Sequence, residues 1–290
     1  MRWAIGLCAQ MAILLPFQGE AGAAPAGAKA DSQPASKKAA GKKEDAGKPR
    51  TAATTNNPNF EKRTFKGSEG ETLEYWLMTP KEYDKTKKYP LLVALHGSGG
   101  TTQAPAALGT DEMREKHRWF VMAPRAPEGW AWAYPRLIRE KAGERPTRLP
   151  LVFEAMGALE KEFSLDPQRF YVTGQSLGGI GTYGALAAHP EMFAAAAPVC
   201  GAWDVEDAPK FAHVPMWICH GGEDRTVLVD YSRKMVEALK QAGASPHYTE
   251  FPGVGHNSWM NAYAMPELWD WMESQRLGSP ASAPAEKDEK

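Results

Sequence analysis

The stretch RFYVTGQSLGG, Arg169 to Gly179, decides the fold. Its first half, RFYVT, is a short run of aromatic and β-branched residues, the composition of a buried strand. Its second half, Gly174-Gln175-Ser176-Leu177-Gly178, fits G-x-S-x-G and opens onto GGIGTYGALAAH, a helical pattern of small residues. A strand that turns this sharply into a helix forces the serine between them into strained backbone angles, and the flanking glycines let strand and helix approach. The hydroxyl of Ser176 then projects above the sheet at a helix N-terminus, where developing negative charge is favoured. In this context Ser176 reads as a nucleophile.

Strand-like and helix-like segments alternate on both sides of that turn. Phe60–Phe65 and Thr72–Met78 alternate in polarity, as half-buried antiparallel strands near a sheet edge do. Tyr89–Leu95 (YPLLVAL) is a continuous apolar run, which suits a strand buried on both faces. Phe120–Ala123, Ala194–Val199, Met216–Cys219 and His247–Phe251 complete a set of eight strands with Arg169–Thr173. Between them, Leu151–Phe163 places Val152, Ala155, Met156, Leu159 and Phe163 on one helical stripe. Tyr231–Lys240 does the same with Met235, Val236 and Leu239, and Leu268, Trp269, Trp271 and Met272 mark a final helix. Alternation of this kind predicts an α/β protein with a mainly parallel sheet covered by helices on both faces. No period of about 20–50 residues repeats, which excludes a solenoid or propeller.

A serine hydroxyl needs an adjacent base at neutral pH. Of seven histidines, those at 213, 220, 247 and 256 follow Ser176 at sufficient distance. His256 lies in PGVGHNSW, a glycine-rich loop directly after the last strand, where a parallel sheet places its chemistry. His247 and His213 fall at the opposite ends of their strands. His220 ends the strand MWICH and is expected to hold the next turn. The acid that orients His256 is expected after the penultimate strand, in HGGEDRTV (220–227). Asp224 is preferred there to Glu223 by the spacing H-G-x-x-D-x-x-V, with Asp204 and Asp207 as rivals. An oxyanion needs preorganised donors. The backbone N–H of Leu177 is one; the other is expected from His96-Gly97-Ser98-Gly99-Gly100, with Ser98 the first choice and Gly99 the second. That glycine loop lacks a P-loop lysine and a G-x-G-x-x-G pattern, so it is not read as a phosphate cradle. His96 is read as a structural hydrogen-bonding residue rather than a metal ligand.

The termini differ from this middle. Residues 1–24 read as an export signal: Arg2, an apolar run from Trp3 to Phe17, and Ala21-Gly22-Ala23 as a cleavage site. Residues 25–58 form a basic Ala/Lys/Pro-rich linker without an aromatic, Val, Ile, Leu or Met, and Gly278–Lys290 is a polar tail. Such segments cannot bury enough apolar surface to offset their ordering entropy. The folded domain is therefore expected over 59–277. The composition, 43% hydrophobic and 24% charged, is that of a globular protein, and a net charge of -1 gives no global pull toward nucleic acid. Mean hydropathy is -0.47, and no run reaches the roughly 18–20 apolar residues of a spanning helix. Three cysteines without a CxxC pair exclude a disulfide scaffold and a zinc ribbon. Cys200 and Cys219 are expected as free buried thiols.

Together LHGSGG (95–100), RFYVTGQSLGG (169–179), HGGEDRTV (220–227) and PGVGHNSW (252–259) resemble the α/β-hydrolase superfamily. The likeness runs from about Phe60 to Gln275. It is nearest the secreted esterase and "predicted peptidase" branch, beside feruloyl and acetylxylan esterases, polyhydroxybutyrate depolymerases and the phospholipase/carboxylesterase group. The resemblance implies a three-layer fold with an eight-stranded sheet, with Ser176 as nucleophile, Asp224 as acid and His256 as base. The connection from Gly201 to Pro215 is too short for a lid domain, so an open site is expected.

Trp130 and Trp132 alternate on the loop after the fourth strand, and Trp203 and Trp259 lie on loops at the same end. These four are candidates for a substrate platform. The leading expectation is an exported serine hydrolase, secreted or periplasmic, acting on a small-molecule or polysaccharide ester. It needs no metal and no cofactor, has no membrane span once the signal is removed, and its basic linker would make weak contact with anionic envelope polymers. A prolyl-oligopeptidase-like peptidase and a non-catalytic envelope-binding module are the alternatives.

Overall fold

The computed structural model describes residues 57–100, 103–142 and 146–278. The expected signal, the linker up to residue 56 and the tail from residue 279 lie outside the described residues. The strands are β1 (Glu61–Lys66), β2 (Thr72–Met78), β3 (Tyr89–Leu95), β4 (Phe120–Pro124), β5 (Leu165–Gln175), β6 (Ala195–Val199), β7 (Trp217–Gly221) and β8 (His247–Phe251). The helices are α1 (Ala104–Leu108), α2 (Asp111–Lys116), α3 (Arg136–Ala142), α4 (Leu149–Glu162), α5 (Leu177–Ala188), α6 (Ala208–Phe211), α7 (Asp230–Gln241), α8 (Trp259–Ala262) and α9 (Pro266–Ser274).

One eight-stranded sheet runs in the order β1-β2-β4-β3-β5-β6-β7-β8. β2 is antiparallel to both neighbours, and from β4 through β8 every pairing is parallel. This is the α/β-hydrolase architecture that the motifs implied. The unbroken apolar character of β3 follows from its place beside β5, where both faces are covered. Leu91, Val93 and Leu95 join the core formed with α4, α5 and α7. Leu92 and Ala94, pointing the other way, join the core formed with α1, α8 and α9. Successive side chains alternate faces along a strand, so only a continuous hydrophobic run satisfies both layers. The outermost strand, β1, is by contrast exposed at every second residue.

A parallel sheet brings the C-terminal ends of its strands to one edge. β3 ends at Leu95, β5 at Gln175, β7 at Gly221 and β8 at Phe251. The loops that carry Ser98, Ser176, Asp224 and His256 therefore leave the sheet side by side. Among the described residues, no helix is long and apolar enough to cross a membrane.

Candidate active site

The turn from β5 into α5 holds Ser176 at φ 55°, ψ -117°. A positive φ is costly for a residue with a side chain and persists only where the surroundings enforce it. Here they do. A Cβ on Gly178 would lie 2.0 Å from the Leu95 carbonyl oxygen, and one on Gly179 would lie 2.5 Å from the Val199 oxygen. The first turn of α5 is thus wedged between the ends of β3 and β6. The Ser176 N–H donates to Val199 O at 3.0 Å.

The Ser176 hydroxyl lies 2.8 Å from His256 Nε2, and His256 Nδ1 lies 2.7 Å from Asp224 Oδ2. A carboxylate accepts only, so Nδ1 carries the proton and Nε2 accepts from the serine hydroxyl. The Asp224 side chain is sealed from solvent, whereas that of His256 is 22% exposed. A reactant can reach the imidazole but not the carboxylate.

Asp224 is fixed by a tight turn. Its Oδ1 accepts the N–H groups of Thr226 at 2.8 Å and Val227 at 3.0 Å. Its Oδ2 faces both His256 and, at 3.2 Å, His220 Nε2. That nitrogen also donates to Val227 O at 2.8 Å, while His220 Nδ1 accepts from Ser232 Oγ at 2.7 Å. Burial alone would raise the Asp224 pKa. Hydrogen bonds from His220, His256 and Thr226 outweigh it and hold the carboxyl below its ordinary value. His220 does hold the turn after its strand, and it also touches the carboxylate directly, which the sequence reading did not foresee. The remaining histidines lie elsewhere: His247 stacks on Trp217, and His213 is exposed.

The loop after β3 packs against the serine. A Cβ on Gly97 would lie 3.6 Å from Ser176 Cβ. Gly100 N–H donates to Gly97 O, closing a turn that leaves the N–H groups of Ser98 and Gly99 outside its hydrogen bond. Leu177 is the first residue of α5, where the N–H has no acceptor one turn back. His96 anchors the loop from below. Its Nε2 accepts from Ala126 N–H at 3.0 Å and its Nδ1 donates to Gly97 O at 2.6 Å. Desolvation depresses the His96 pKa, which keeps the ring neutral and able to accept. On the far side, Gln175 Oε1 accepts Gln103 N–H at 3.0 Å and ties α1 to the residue before the serine.

The four tryptophans divide. Trp132 is corrected: it is fully buried, its Nε1 donates to His96 O at 2.8 Å, and it packs where Gly181 and α5 leave room. It is a core residue and presents no face to a substrate. Trp130 is half-buried with one face covered by the Arg148 guanidinium, 4.0 Å from the ring centre. Trp203 is half-buried and donates to Asp207. Trp259 meets His256 edge-to-face at 5.4 Å.

Cys200 and Cys219 are free and buried. Cys200 sits at φ 40° at the end of β6, and its Sγ, an Asp224 carboxylate oxygen and a His256 ring nitrogen lie within 4.8 Å of one another. Burial pushes its thiol up to about 12, so the sulfur stays protonated. A cation held by these three groups would have to displace that proton and the hydrogen bond between His256 and Asp224.

A family model described as "Putative esterase" matches residues 69–263. A solved thermostable esterase is 32% identical, with a TM-score of 0.71 over 76% of this chain and 64% of that one. Poly(3-hydroxyalkanoate) depolymerase C of Paucimonas lemoignei is 33% identical over 118 residues, 39% of this chain and 28% of that protein. The bifunctional acetylxylan esterase/xylanase XynS20E of Neocallimastix patriciarum is 30% identical over 141 residues, 47% of this chain and 19% of that protein. The chain thus spans less than a third of either curated relative. A Pyrococcus horikoshii acylaminoacyl peptidase shares the fold, at 17% identity and a TM-score of 0.60 over 79% of this chain and 44% of that one.

Proposed function

The chain belongs to the esterase family whose model covers residues 69–263, and on that premise we propose that it is a serine carboxylic-ester hydrolase with Ser176, His256 and Asp224 as its triad. The observation that carries this reading is the unbroken hydrogen-bond path from Ser176 Oγ through both nitrogens of His256 to Asp224 Oδ2.

The chemistry follows from that path. Ser176 Oγ attacks the ester carbonyl carbon as its proton passes to His256 Nε2. The imidazolium formed is stabilised by Asp224, which remains ionised. The carbonyl oxygen becomes an oxyanion that accepts hydrogen bonds from the N–H groups of Leu177 and Ser98. Collapse breaks the bond to the leaving oxygen, which takes the proton from Nε2 and departs as an alcohol. Water then gives a proton to Nε2 and attacks the acyl-enzyme, and the same steps in reverse release the acid and restore the serine. The expected substrates are carbohydrate esters and small or aryl acyl esters, a range supported by the acetylxylan esterase and polyester depolymerase among the relatives. Action outside the cytoplasm is supported by the apolar N-terminal run and its A-x-A site.

The test is turnover of p-nitrophenyl acetate and butyrate, methyl ferulate, acetylated xylan and a p-nitroanilide by wild type and Ser176→Ala. We expect ester hydrolysis that falls by about 10³–10⁶ in the variant. Turnover of the anilide alone would establish a peptidase instead. Ester turnover that survives Ser176→Ala would remove the serine from the mechanism.

A further inference from the structure

A recess of about 360 Å³ opens between α1–α2 and the segment that starts at Trp259. Ala106 and Ala107 contribute to its lining, as do Trp259, Met260 and Met113. No charged side chain and no histidine lines it. Its size lies toward the lower end for small-molecule sites, and its lining offers contact to a hydrocarbon or aryl group and little to a polyhydroxylated one. Ser176, Asp224 and the turn Gly97–Gly100 do not line it.

Two contacts connect the recess to the reacting groups. Gln103 lines it and is held by Gln175, the neighbour of Ser176. Trp259 lines it and meets the His256 ring edge-to-face. The second contact sets the direction. In ester cleavage the departing oxygen must lie within hydrogen-bond reach of His256 Nε2, so the group borne by that oxygen lies on the histidine side. The residue packed against the histidine is Trp259. We propose that this recess binds the leaving alcohol of the substrate, an uncharged hydrocarbon or aryl alcohol, with Trp259 and the methyl groups of Ala106 and Ala107 setting its size. The proposal rests on the reading of Ser176 and His256 as nucleophile and base, and it narrows the substrate range given above on its alcohol side, toward esters of apolar alcohols and away from those of sugars.

The experiment uses two ester series. One holds the acyl group as acetate and lengthens the alcohol through methyl, butyl, octyl and benzyl acetate. The other holds the alcohol as methyl and lengthens the acid. For wild type, kcat/KM is expected to rise along the alcohol series and stay level along the acyl series. Ala107→Leu fills the recess and is expected to cut kcat/KM for octyl and benzyl acetate about tenfold or more while methyl acetate changes by less than about twofold. Ala106→Leu is a second filling variant should the first not fold, and thermal unfolding checks both. A rise along the acyl series instead, reversed by the same variants, would assign the recess to the acid and overturn the proposal. So would an unchanged profile in folded variants. Calorimetric binding of 1-octanol to Ser176→Ala separates the two readings. Octanol bound by Ser176→Ala and lost on adding Ala107→Leu supports the recess even if no ester is turned over, an outcome that would sink the hydrolase reading alone. Absence of octanol binding would overturn the recess and leave the hydrolase reading standing.

Discussion

His220 Nε2 lies 3.2 Å from Asp224 Oδ2, the same oxygen that accepts from His256 Nδ1 at 2.7 Å. A second, fully buried imidazole therefore braces the carboxylate from behind. It is itself held by Ser232 Oγ and the Val227 carbonyl. Groups that orient a catalytic group are felt in kcat more than in KM when they are lost. For His220→Ala we expect kcat to fall by about tenfold with KM little changed, and stability to fall by about 2–3 kcal/mol as a cavity opens and Ser232 loses its partner. His220→Gln retains a donor and should recover part of the rate. Steady-state kinetics per folded molecule, with urea unfolding alongside, checks this. An unchanged kcat would confine His220 to the fold.

Ser176 carries its side chain at φ 55°. Backbone strain of this kind costs about 1–3 kcal/mol and is relieved by glycine but not by alanine. Glycine also gains entropy in the unfolded chain, worth about 0.4–1 kcal/mol in the opposite sense. Both Ser176→Ala and Ser176→Gly should lack turnover, yet Ser176→Gly should be about 1 kcal/mol more stable than Ser176→Ala once the two effects are netted. Chemical denaturation of the pair measures the difference. If alanine is the more stable, the surroundings do not strain this position.

The Asp224 carboxyl is held below its ordinary value in the folded protein. A group with a lowered folded pKa contributes stability that is fully present above its unfolded value, about 3.9 for aspartate, and that is lost as pH falls through the folded value. Unfolding free energy measured from pH 7 down to pH 3 should therefore decline below about pH 4 more steeply in wild type than in Asp224→Asn, which cannot titrate. Parallel curves would mean that the carboxylate contributes nothing to acid lability.

Most of the fold was legible because its signals are local. The run from Tyr89 to Leu95 is buried on both faces, and β2, β3 and β8 fall on the residues where the pattern placed them. The G-x-S-x-G turn was legible because a positive φ beside close backbone contacts leaves glycine little alternative. Other features depend on packing between distant segments. β5 begins at Leu165, four residues before the expected strand, because Leu165 pairs with Tyr89, apart from the run that starts at Leu91 and Phe170 and across an irregularity in β5 itself. The small residues of α5 were visible, but nothing local says that Gly181 makes room for Trp132 rather than only for the sheet. Likewise the recess beside Trp259 exists because Ala106 and Ala107, some 150 positions away in sequence, are too small to fill it.

Trp132 and Trp259, read alike from sequence, should separate in experiment. Trp132 is fully enclosed and its indole donates to His96 O, the carbonyl that precedes the Gly97–Gly100 turn. Replacing it removes a hydrogen bond and leaves a cavity, at a cost of about 3–5 kcal/mol for a change as large as Trp132→Ala. Trp259 is half-buried and sits on the His256 ring. Its loss removes less buried surface but alters the side of the site from which the leaving group departs. Trp132→Phe should therefore lower the unfolding midpoint with little change in KM at temperatures where the protein remains folded. Trp259→Leu should leave the midpoint nearly unchanged and raise KM for esters of large alcohols. Thermal unfolding and kinetics on methyl and benzyl acetate distinguish the two. A Trp132→Phe variant with full stability and a raised KM would return that residue to the substrate site.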